Sequence, residues 1–361
     1  MTDDGEDVLV LRALGLGDLL VAVPALRGLR RHFPDHRIVL AAPAALAPLA
    51  VCSGAVDAVL DTDRPETLRW PAADGPAVAV NLHGTGPRSH TALDATHPRR
   101  RIGCRAPGWD GPRWSDLERR HAHERERWCA VLAAHAIGAD PDDLRLPPPP
   151  RNSADVAPVV IHPGARYGAK RWPADRFAAL AAAFDRAGHR VLVTGSAAER
   201  PLARAVAEGA GLPQRRVLAG RTDLAQLATL VAHAAVLVCG DTGVAHLASA
   251  FRAPSVVLFG PVPPARWGPP ADGHHIVLTD EGARRGDPFA EDPDPALLGV
   301  TVTDVLAAAA TVSLATWTER QRDRATLASA ASAASAASAA SAARPRPEAT
   351  STSRVVERPG R

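Results

Sequence analysis

The sequence predicts an α/β protein with two doubly wound domains, each built on a parallel sheet with helices on both faces. Three observations support this fold class. Short apolar runs rich in β-branched residues alternate with segments of helical period along most of the 361 residues, as in parallel strands buried on both faces. Four prolines, Pro147–Pro150, form a stiff spacer between two halves of similar pattern. The length also suits two domains.

In the first half, each apolar run is followed by a segment of helical period. Strands are predicted at Val8–Leu11, Ile38–Leu40 and Ala77–Val80, with helices over Leu19–Arg31 and Ala44–Val51. Parallel strands need such crossover helices between them. This half is predicted to form an N-terminal domain over residues 1–150.

The second half repeats the alternation over residues 151–319 and is predicted to form the second domain. Its predicted strands are Val159–Ile161, Val191–Val193, Val217–Leu218, Val236–Val238 and Val256–Phe259, and its predicted helices are Ala174–Ala187, Leu202–Glu208 and Leu224–Ala234. Ligands bind beyond the carboxyl ends of the strands in such sheets. We therefore expect a cleft between the domains, lined by the residues that follow each strand.

The C-terminal residues 320–361 differ in composition from both halves. Ser and Ala make up almost all of Ala328–Ala343, so that little apolar volume is available for a core and a disordered tail is predicted. Eight arginines and three acids give this tail a net charge of +5, which leaves −2 on the rest of a chain whose total is +3. The tail is thus a candidate for contact with an anionic membrane, and the folded body gives no indication of a nucleic-acid partner.

The N-terminus and the cysteines predict a cytoplasmic protein. Residues Met1–Asp7 are acidic where a secretory signal would be basic, and no apolar run approaches the ~18–20 residues of a membrane span. The four cysteines, Cys52, Cys104, Cys129 and Cys239, form no CxxC pair. Neither a disulfide framework nor a zinc site is indicated.

A glycine turn follows the first predicted strand. Gly15 and Gly17 allow a tight turn with close backbone approach, and Asp18 falls in the first turn of the next helix. Asp18 is then either a helix acid that stabilises the dipole by ~0.3–1 kcal/mol or a base facing the cleft. A dinucleotide fingerprint would need glycine at Leu20 and an acid near Pro43, so an NAD-dependent dehydrogenase is disfavoured.

The loop over His162–Pro173 carries three cations before a helix. Gly164 and other small residues expose backbone amides, and Arg166 and Lys170 are candidates to bind phosphate. Of the 42 Lys and Arg residues, Lys170 alone is a lysine. Since any cation here would be expected to be arginine, the lysine favours a specific phosphate contact. Chance survival of one lysine on a solvated loop is the alternative.

The densest group of candidates follows the predicted strand Val236–Val238. Asp241, Thr242 and Gly243 form a turn that opens a helix, where backbone amides, the threonine hydroxyl and the positive dipole end suit a diphosphate. His246 lies about one turn further along. It is either a ligand contact or a partly buried helix histidine.

Together these segments resemble glycosyltransferase family 9, the heptosyltransferases, which have the GT-B fold of two Rossmann-like domains with an interdomain cleft. The matching segments are Leu14–Asp18, His162–Ala165, Lys170–Pro173, Gly240–Ala248 and Phe259–Pro261, and the resemblance covers residues 7–315. The Asp-Thr-Gly-x-x-His-Leu-Ala segment combined with Lys-x-Trp-Pro is fairly specific, whereas the glycine turn alone is not.

The resemblance implies an inverting glycosyltransferase that moves a heptose-like sugar from a nucleotide-diphosphate donor, ADP-heptose, to a hydroxyl of a glycan or glycolipid. It implies that Asp18 is the catalytic base. The residues implied to bind the donor are Lys170, Glu199, Asp241, Thr242, Gly243 and His246. For Glu199, the alternative is that it caps the helix that follows it.

No acid cluster of the DxD type lies at a plausible site, so neither a metal nor another cofactor is expected. The expected partners are the donor and the acceptor, at the inner face of the membrane. Two rival functions remain. One is a degenerate transferase that binds the donor without turnover, against which Asp18 argues, and the other is the disfavoured oxidoreductase.

Overall fold

Two parallel five-stranded sheets make up the protein in the computed structural model, which describes residues 6–150 and 156–313. Every strand pairing in both sheets is parallel. The predicted fold class is therefore confirmed. The predicted tail over residues 320–361 lies outside the described residues.

The first sheet is centred on a strand that is buried from Val8 to Leu11. Its strands are β1 (Asp7–Leu11), β2 (Arg37–Ala42), β3 (Ala58–Asp61), β4 (Val78–Asn81) and β5 (Arg100–Ile102), in the order β3-β2-β1-β4-β5. The helices of this half are α1 (Leu16–His32), α2 (Ala47–Cys52), α3 (Pro87–Asp94), α4 (Trp114–Arg120) and α5 (Glu124–Ala133).

The second sheet is centred on two strands whose residues are all buried. Its strands are β6 (Val159–His162), β7 (Val191–Val193), β8 (Val236–Gly240), β9 (Ser255–Leu258) and β10 (His275–Leu278), in the order β10-β9-β8-β6-β7. The helices are α6 (Ala174–Arg186), α7 (Arg200–Gly209), α8 (Leu224–Ala232), α9 (Gly243–Phe251), α10 (Pro264–Trp267) and α11 (Pro295–Leu298), and residues 302–313 are also helical.

Three strands were not predicted, and all three are edge strands: β3, β5 and β10. Two of them, β5 and β3, begin or end on charged residues, as edge strands do where side chains face solvent. Conversely, the predicted strand Val217–Leu218 is reduced to one bridge between Val193 and Val217. The chain enters it directly from a 3₁₀ turn over Gln214–Arg216, which leaves only a single residue in register.

The helices α1 and α9 bring the two halves together. One hydrophobic cluster contains Leu20 and Val23 of α1 together with Val244 and Leu247 of α9. The described residues, 6–150 and 156–313, belong to one compact unit, and the predicted domain boundary at residue 150 stays a prediction. None of the described helices combines the length and the hydropathy of a membrane span.

Candidate active site

A cleft of about 1280 Å³ lies at the carboxyl ends of the two sheets. Its walls come from both halves of the chain, since loops after β1 and β4 face loops after β6, β7 and β8. The predicted site residues that line it are Gly15, Gly17, Asp18, Arg166, Lys170, Glu199, Asp241, Thr242, Gly243 and His246. The structure thus brings ten of the eleven predicted residues to one cavity, and only Gly164 lies outside its lining.

Asp18 stands at the N-terminus of α1 with its side chain one-third exposed. Its Oδ2 accepts a hydrogen bond from the backbone N–H of Gly15, the N-cap residue, at 3.3 Å. Asp18 therefore makes the hydrogen bond expected of an acid in the first turn of a helix. Its carboxylate is also exposed enough to be reached from the cleft. The two interpretations are compatible, and only turnover separates them.

A buried arginine that the sequence analysis did not single out supports Asp18. Arg12 follows β1 and is 1 % exposed. Its Nε donates to the backbone oxygen of Asp18 at 2.7 Å, and its Nη2 lies 3.5 Å from Asp18 Oδ1. Arg12 also donates to the oxygen of Leu82 and lies over the Trp128 ring, 4.8 Å from its centroid. The one signal in the sequence was an arginine directly after a continuous apolar run.

The N-termini of α1 and α9 meet at the floor of the cleft. A Cβ added to Gly17 would lie 2.8 Å from Cδ2 of His246, and one added to Gly243 would lie 3.0 Å from Cβ of Leu16. The distance at Gly17 is closer than side-chain packing allows, so this position needs glycine, and the one at Gly243 is tighter than most packed side chains show. The predicted close backbone approach at Gly17 is therefore present, although the partner is the other half of the protein.

Lys170 forms a salt bridge with Asp241 between the loops that follow the neighbouring strands β6 and β8. Its Nζ donates to Asp241 Oδ2 at 2.6 Å, and the carboxylate is 7 % exposed while the lysine is 21 % exposed. A Cβ at Gly240 would lie 2.8 Å from the Lys170 backbone oxygen. Gly240 thus permits the lysine loop to lie against the end of β8. The single lysine and the Asp-Thr-Gly turn, which are far apart in sequence, form one charged group.

The turn before α9 leaves donors facing the cleft. Thr242 is the N-cap residue with extended backbone, and its side chain makes no capping hydrogen bond. The first amides of a helix have no intrahelical acceptor. The Thr242 hydroxyl and these amides are thus suited to an anion at the positive end of the helix dipole.

His246 is buried beneath this turn. Burial lowers the pKa of its imidazole, against the opposing effects of the Asp241 and Asp18 carboxylates, while Lys170 lowers it further. The ring packs edge-on against Trp267, with centroids 5.9 Å apart. The imidazole is therefore within electrostatic range of Asp18, Asp241 and Lys170.

Glu199 lies at the end of α7 that faces the cleft. It does not cap α7 with its side chain, and its Oε2 instead accepts from the Ser196 N–H at 2.8 Å. Gly164 is covered by the carboxyl of Glu199, where a Cβ would clash. Gly164 therefore lies beneath the Glu199 carboxyl rather than lining the cavity. Arg166 is exposed at the rim, 5.6 Å from the Tyr167 ring centroid.

The wall from the first half holds polar residues that the sequence analysis did not assign. His83 follows β4, and burial and Arg12 lower the pKa of its imidazole. Arg88 lies 3.5 Å from Glu66. Single polar residues in loops carry no period or motif, so the sequence offered no signal for them.

No group of three or more His, Cys, Asp or Glu side chains suited to a metal ion occurs among residues 6–150 and 156–313. One solved structure with the same fold, at a TM-score of 0.56 and 14 % identity, is described as a bacterial iron-containing dodecameric glycosyltransferase, TibC. Metal independence of this protein stays a prediction.

Comparison with known proteins finds similarity to the family that the motifs resemble. Residues 123–287 match the model of glycosyltransferase family 9 (heptosyltransferase). Lipooligosaccharide heptosyltransferase 2 of Haemophilus influenzae is 34 % identical over 133 residues, which cover 35 % of this chain and 38 % of that protein. The chain spans less than half the length of the curated relatives it matches.

Solved structures share the fold over nearly the whole described chain. The E. coli ADP-heptose LPS heptosyltransferase II matches with a TM-score of 0.67 and 21 % identity, covering 85 % of this chain and 98 % of that one. A glycosyl transferase family 9 protein from Veillonella parvula matches with a TM-score of 0.70 and 22 % identity, covering 87 % and 99 %. The resemblance to family 9 and the GT-B fold are confirmed.

Proposed function

We infer that this chain, which resembles glycosyltransferase family 9, is a glycosyltransferase that moves a sugar from a nucleoside-diphosphate donor to a hydroxyl of a glycan or glycolipid. One observation carries the proposal. Asp18 of the first half faces the same cleft as the Lys170–Asp241 pair and the N-terminus of α9. A base and a diphosphate site on opposite walls are what such a transfer needs.

In the proposed step, Asp18 takes the proton of the acceptor hydroxyl. The acceptor oxygen bonds to the anomeric carbon as the bond from that carbon to the diphosphate oxygen breaks, and attack opposite the leaving group inverts the configuration. Arg12 acts as a positioning residue, because it holds both the backbone and the carboxylate of Asp18. A positioned base of this kind contributes roughly 10²–10⁴-fold.

The diphosphate leaves with the electron pair of the broken bond. An ammonium has three donors, and Asp241 engages one of those of Lys170, so two are available for phosphate oxygens. The amides at the start of α9 and the Thr242 hydroxyl provide further donors. These groups act where negative charge develops, which is their largest contribution to rate.

We propose ADP-heptose as the donor and a lipopolysaccharide-type glycolipid as the acceptor. The support is that the E. coli neighbour is described as an ADP-heptose LPS heptosyltransferase and the Haemophilus relative as a lipooligosaccharide heptosyltransferase. A thermal-shift panel of ADP-, GDP- and UDP-sugars together with NAD tests the donor. Stabilisation by ADP-heptose alone is expected, and stabilisation by NAD alone would favour the oxidoreductase.

Asp18→Asn tests the reaction itself. We expect turnover with ADP-heptose to fall by roughly 10²–10⁴-fold, because the amide cannot accept the proton, while the Kd for the donor changes by less than about twofold. Asp175→Asn is the matched control, since Asp175 is also an acid in the first turn of a helix but is exposed away from the cleft. Equal turnover in wild type and Asp18→Asn would remove Asp18 from the base role. Donor binding without turnover in the wild type would favour the degenerate transferase.

A further inference from the structure

Six arginines crowd the edge of the second sheet next to β7. Two adjoining cavities share Arg215. One, of about 440 Å³, is lined by Arg200, Arg204, Gln214, Arg215, Val217 and Arg221. The other, of about 330 Å³, is lined by Arg190, Leu192, Arg215, Arg216, Leu218 and Leu230. We call Arg190, Arg200, Arg204, Arg215, Arg216 and Arg221 the arginine surface.

The charge of the arginine surface is not neutralised by its surroundings. None of the six guanidinium groups lies within 4.0 Å of a carboxylate of residues 6–150 or 156–313. The nearby Glu208 is instead hydrogen-bonded to Gln214 at 3.3 Å, and Glu199 turns toward Ser196. Like charges held this close repel one another, so their accumulation on a body of net charge −2 indicates an anionic ligand.

Two of the arginines are held in place by the backbone. Arg200 Nε donates to the oxygen of Ala219 at 2.9 Å, and Arg216 donates to the oxygen of Val191 at 3.4 Å. Arg204 and Arg221 are exposed. The surface therefore combines backbone-held and exposed cations spread along an edge, which suits several phosphates at once better than one buried anion.

We propose that the arginine surface binds the phosphate groups of an anionic lipid membrane. Its cavities contain no aromatic side chain, whereas single-stranded nucleic acid is bound by stacking on aromatic rings. Its apolar members, such as Val217, are buried or half-buried, so the contact is electrostatic and does not require insertion into the bilayer.

The position of the arginine surface fits the same partner. Arg200 follows Glu199 and Arg221 precedes Thr222, and both neighbours line the cleft. A membrane bound to this edge would therefore lie beside the donor end of the cleft. The benefit of this location rests on the proposed function, because only a transferase with a lipid-linked acceptor gains from lying beside a membrane. The proposed binding to the membrane does not depend on that function.

The test is sedimentation of the full chain with phosphatidylcholine vesicles, with and without phosphatidylglycerol. Wild type is expected to bind only the vesicles that contain phosphatidylglycerol. Arg204→Glu/Arg215→Glu should lower the partition coefficient at least about 25-fold, because each arginine at an anionic surface contributes about fivefold. Neither side chain hydrogen-bonds to any of residues 6–150 or 156–313. Arg204→Gln/Arg215→Gln repeats the test without charge reversal.

Arg105→Glu/Arg120→Glu is the control, since both arginines are exposed in the first half and the change in net charge is equal. Three results would overturn the proposal: no binding of wild type to phosphatidylglycerol vesicles, equal binding of wild type and the Arg204/Arg215 variants, or an equal loss in the control. Arginine-dependent binding of inorganic pyrophosphate without vesicle binding would also overturn it, in favour of a soluble anion. The measurement uses neither donor nor acceptor, so it succeeds or fails independently of the transferase activity.

Discussion

Lys170 is paired with a nearly buried carboxylate before any donor is present. Asp241 fixes the ammonium at the N-terminus of α9 through a 2.6 Å hydrogen bond. Pre-placing the charge lowers the entropy lost when the diphosphate binds. At the scale of single residues, Asp241 is then a positioning residue for Lys170, and the pair has to be tested together.

Lys170→Ala should weaken donor binding at least about tenfold, the value of one hydrogen bond to a charged group. It should also lower the free energy of unfolding, because Asp241 stays buried without its partner. Lys170→Ala/Asp241→Asn is the matched variant. We expect it to recover stability but not donor affinity, as measured by urea unfolding and by calorimetry with ADP-heptose. A donor Kd unchanged in Lys170→Ala would exclude the phosphate contact.

At the scale of elements, the site depends on how closely two helices meet. The N-termini of α1 and α9 approach through Gly17 and Gly243, with Leu16 and His246 filling the space around them. Each helix then contributes its positive end and its first-turn side chains to one cleft. Gly17 is thus needed for the contact between the halves and not only for a ligand, and Gly243 lies tightly against the same contact.

Gly17→Ala should destabilise the protein by about 1–3 kcal/mol, the typical result of overpacking, because its Cβ would lie 2.8 Å from the buried His246 ring. Gly84→Ala is the control, since no atom lies within 4 Å of a Cβ there. That variant should stay within about 0.5 kcal/mol of wild type. Urea unfolding measures both, and equal stability of Gly17→Ala and wild type would contradict the close approach.

At the scale of the whole molecule, a buried neutral histidine links the two halves. His123 caps α5 by accepting the Arg125 N–H at Nδ1, and its Nε2 donates to the oxygen of Gly268 in the second half at 2.9 Å. Protonation of Nδ1 would remove the cap. Burial lowers the pKa of His123 to about 4, and burial lowers that of His275 to about 4 as well.

Stability should therefore fall as the pH falls from 6.5 to 4. In this range the unfolded chain binds a proton at His123 that the folded chain does not, so the free energy of unfolding decreases with decreasing pH, by about 3 kcal/mol for this group. His123→Asn, which keeps a cap acceptor, should show a shallower fall in urea unfolding at pH 7, 5.5 and 4.5. His189→Asn, at an exposed position, should retain the wild-type slope. A wild-type slope in His123→Asn would contradict the prediction.

The sequence by itself determined the fold class, the central strands and the membership of the cleft. Strands such as β6 and β8 are buried on both faces, so their composition alone reveals them. Because parallel strands end at one edge, the residues after them had to meet. The roles of Asp18, Lys170 and the other site residues stay predictions, which the variants above test.

The tertiary structure decided which residues touch. The Lys170–Asp241 pair and the contact of Gly17 with His246 join residues far apart in the sequence, and the arginine beneath Asp18 lies six residues before it across the turn from β1 to α1. No local period encodes such contacts. The edge strand β5 and the arginine surface could not be predicted from the sequence either. Exposed charged residues need no regular spacing in the sequence, so which of them lie together is seen only in the folded structure.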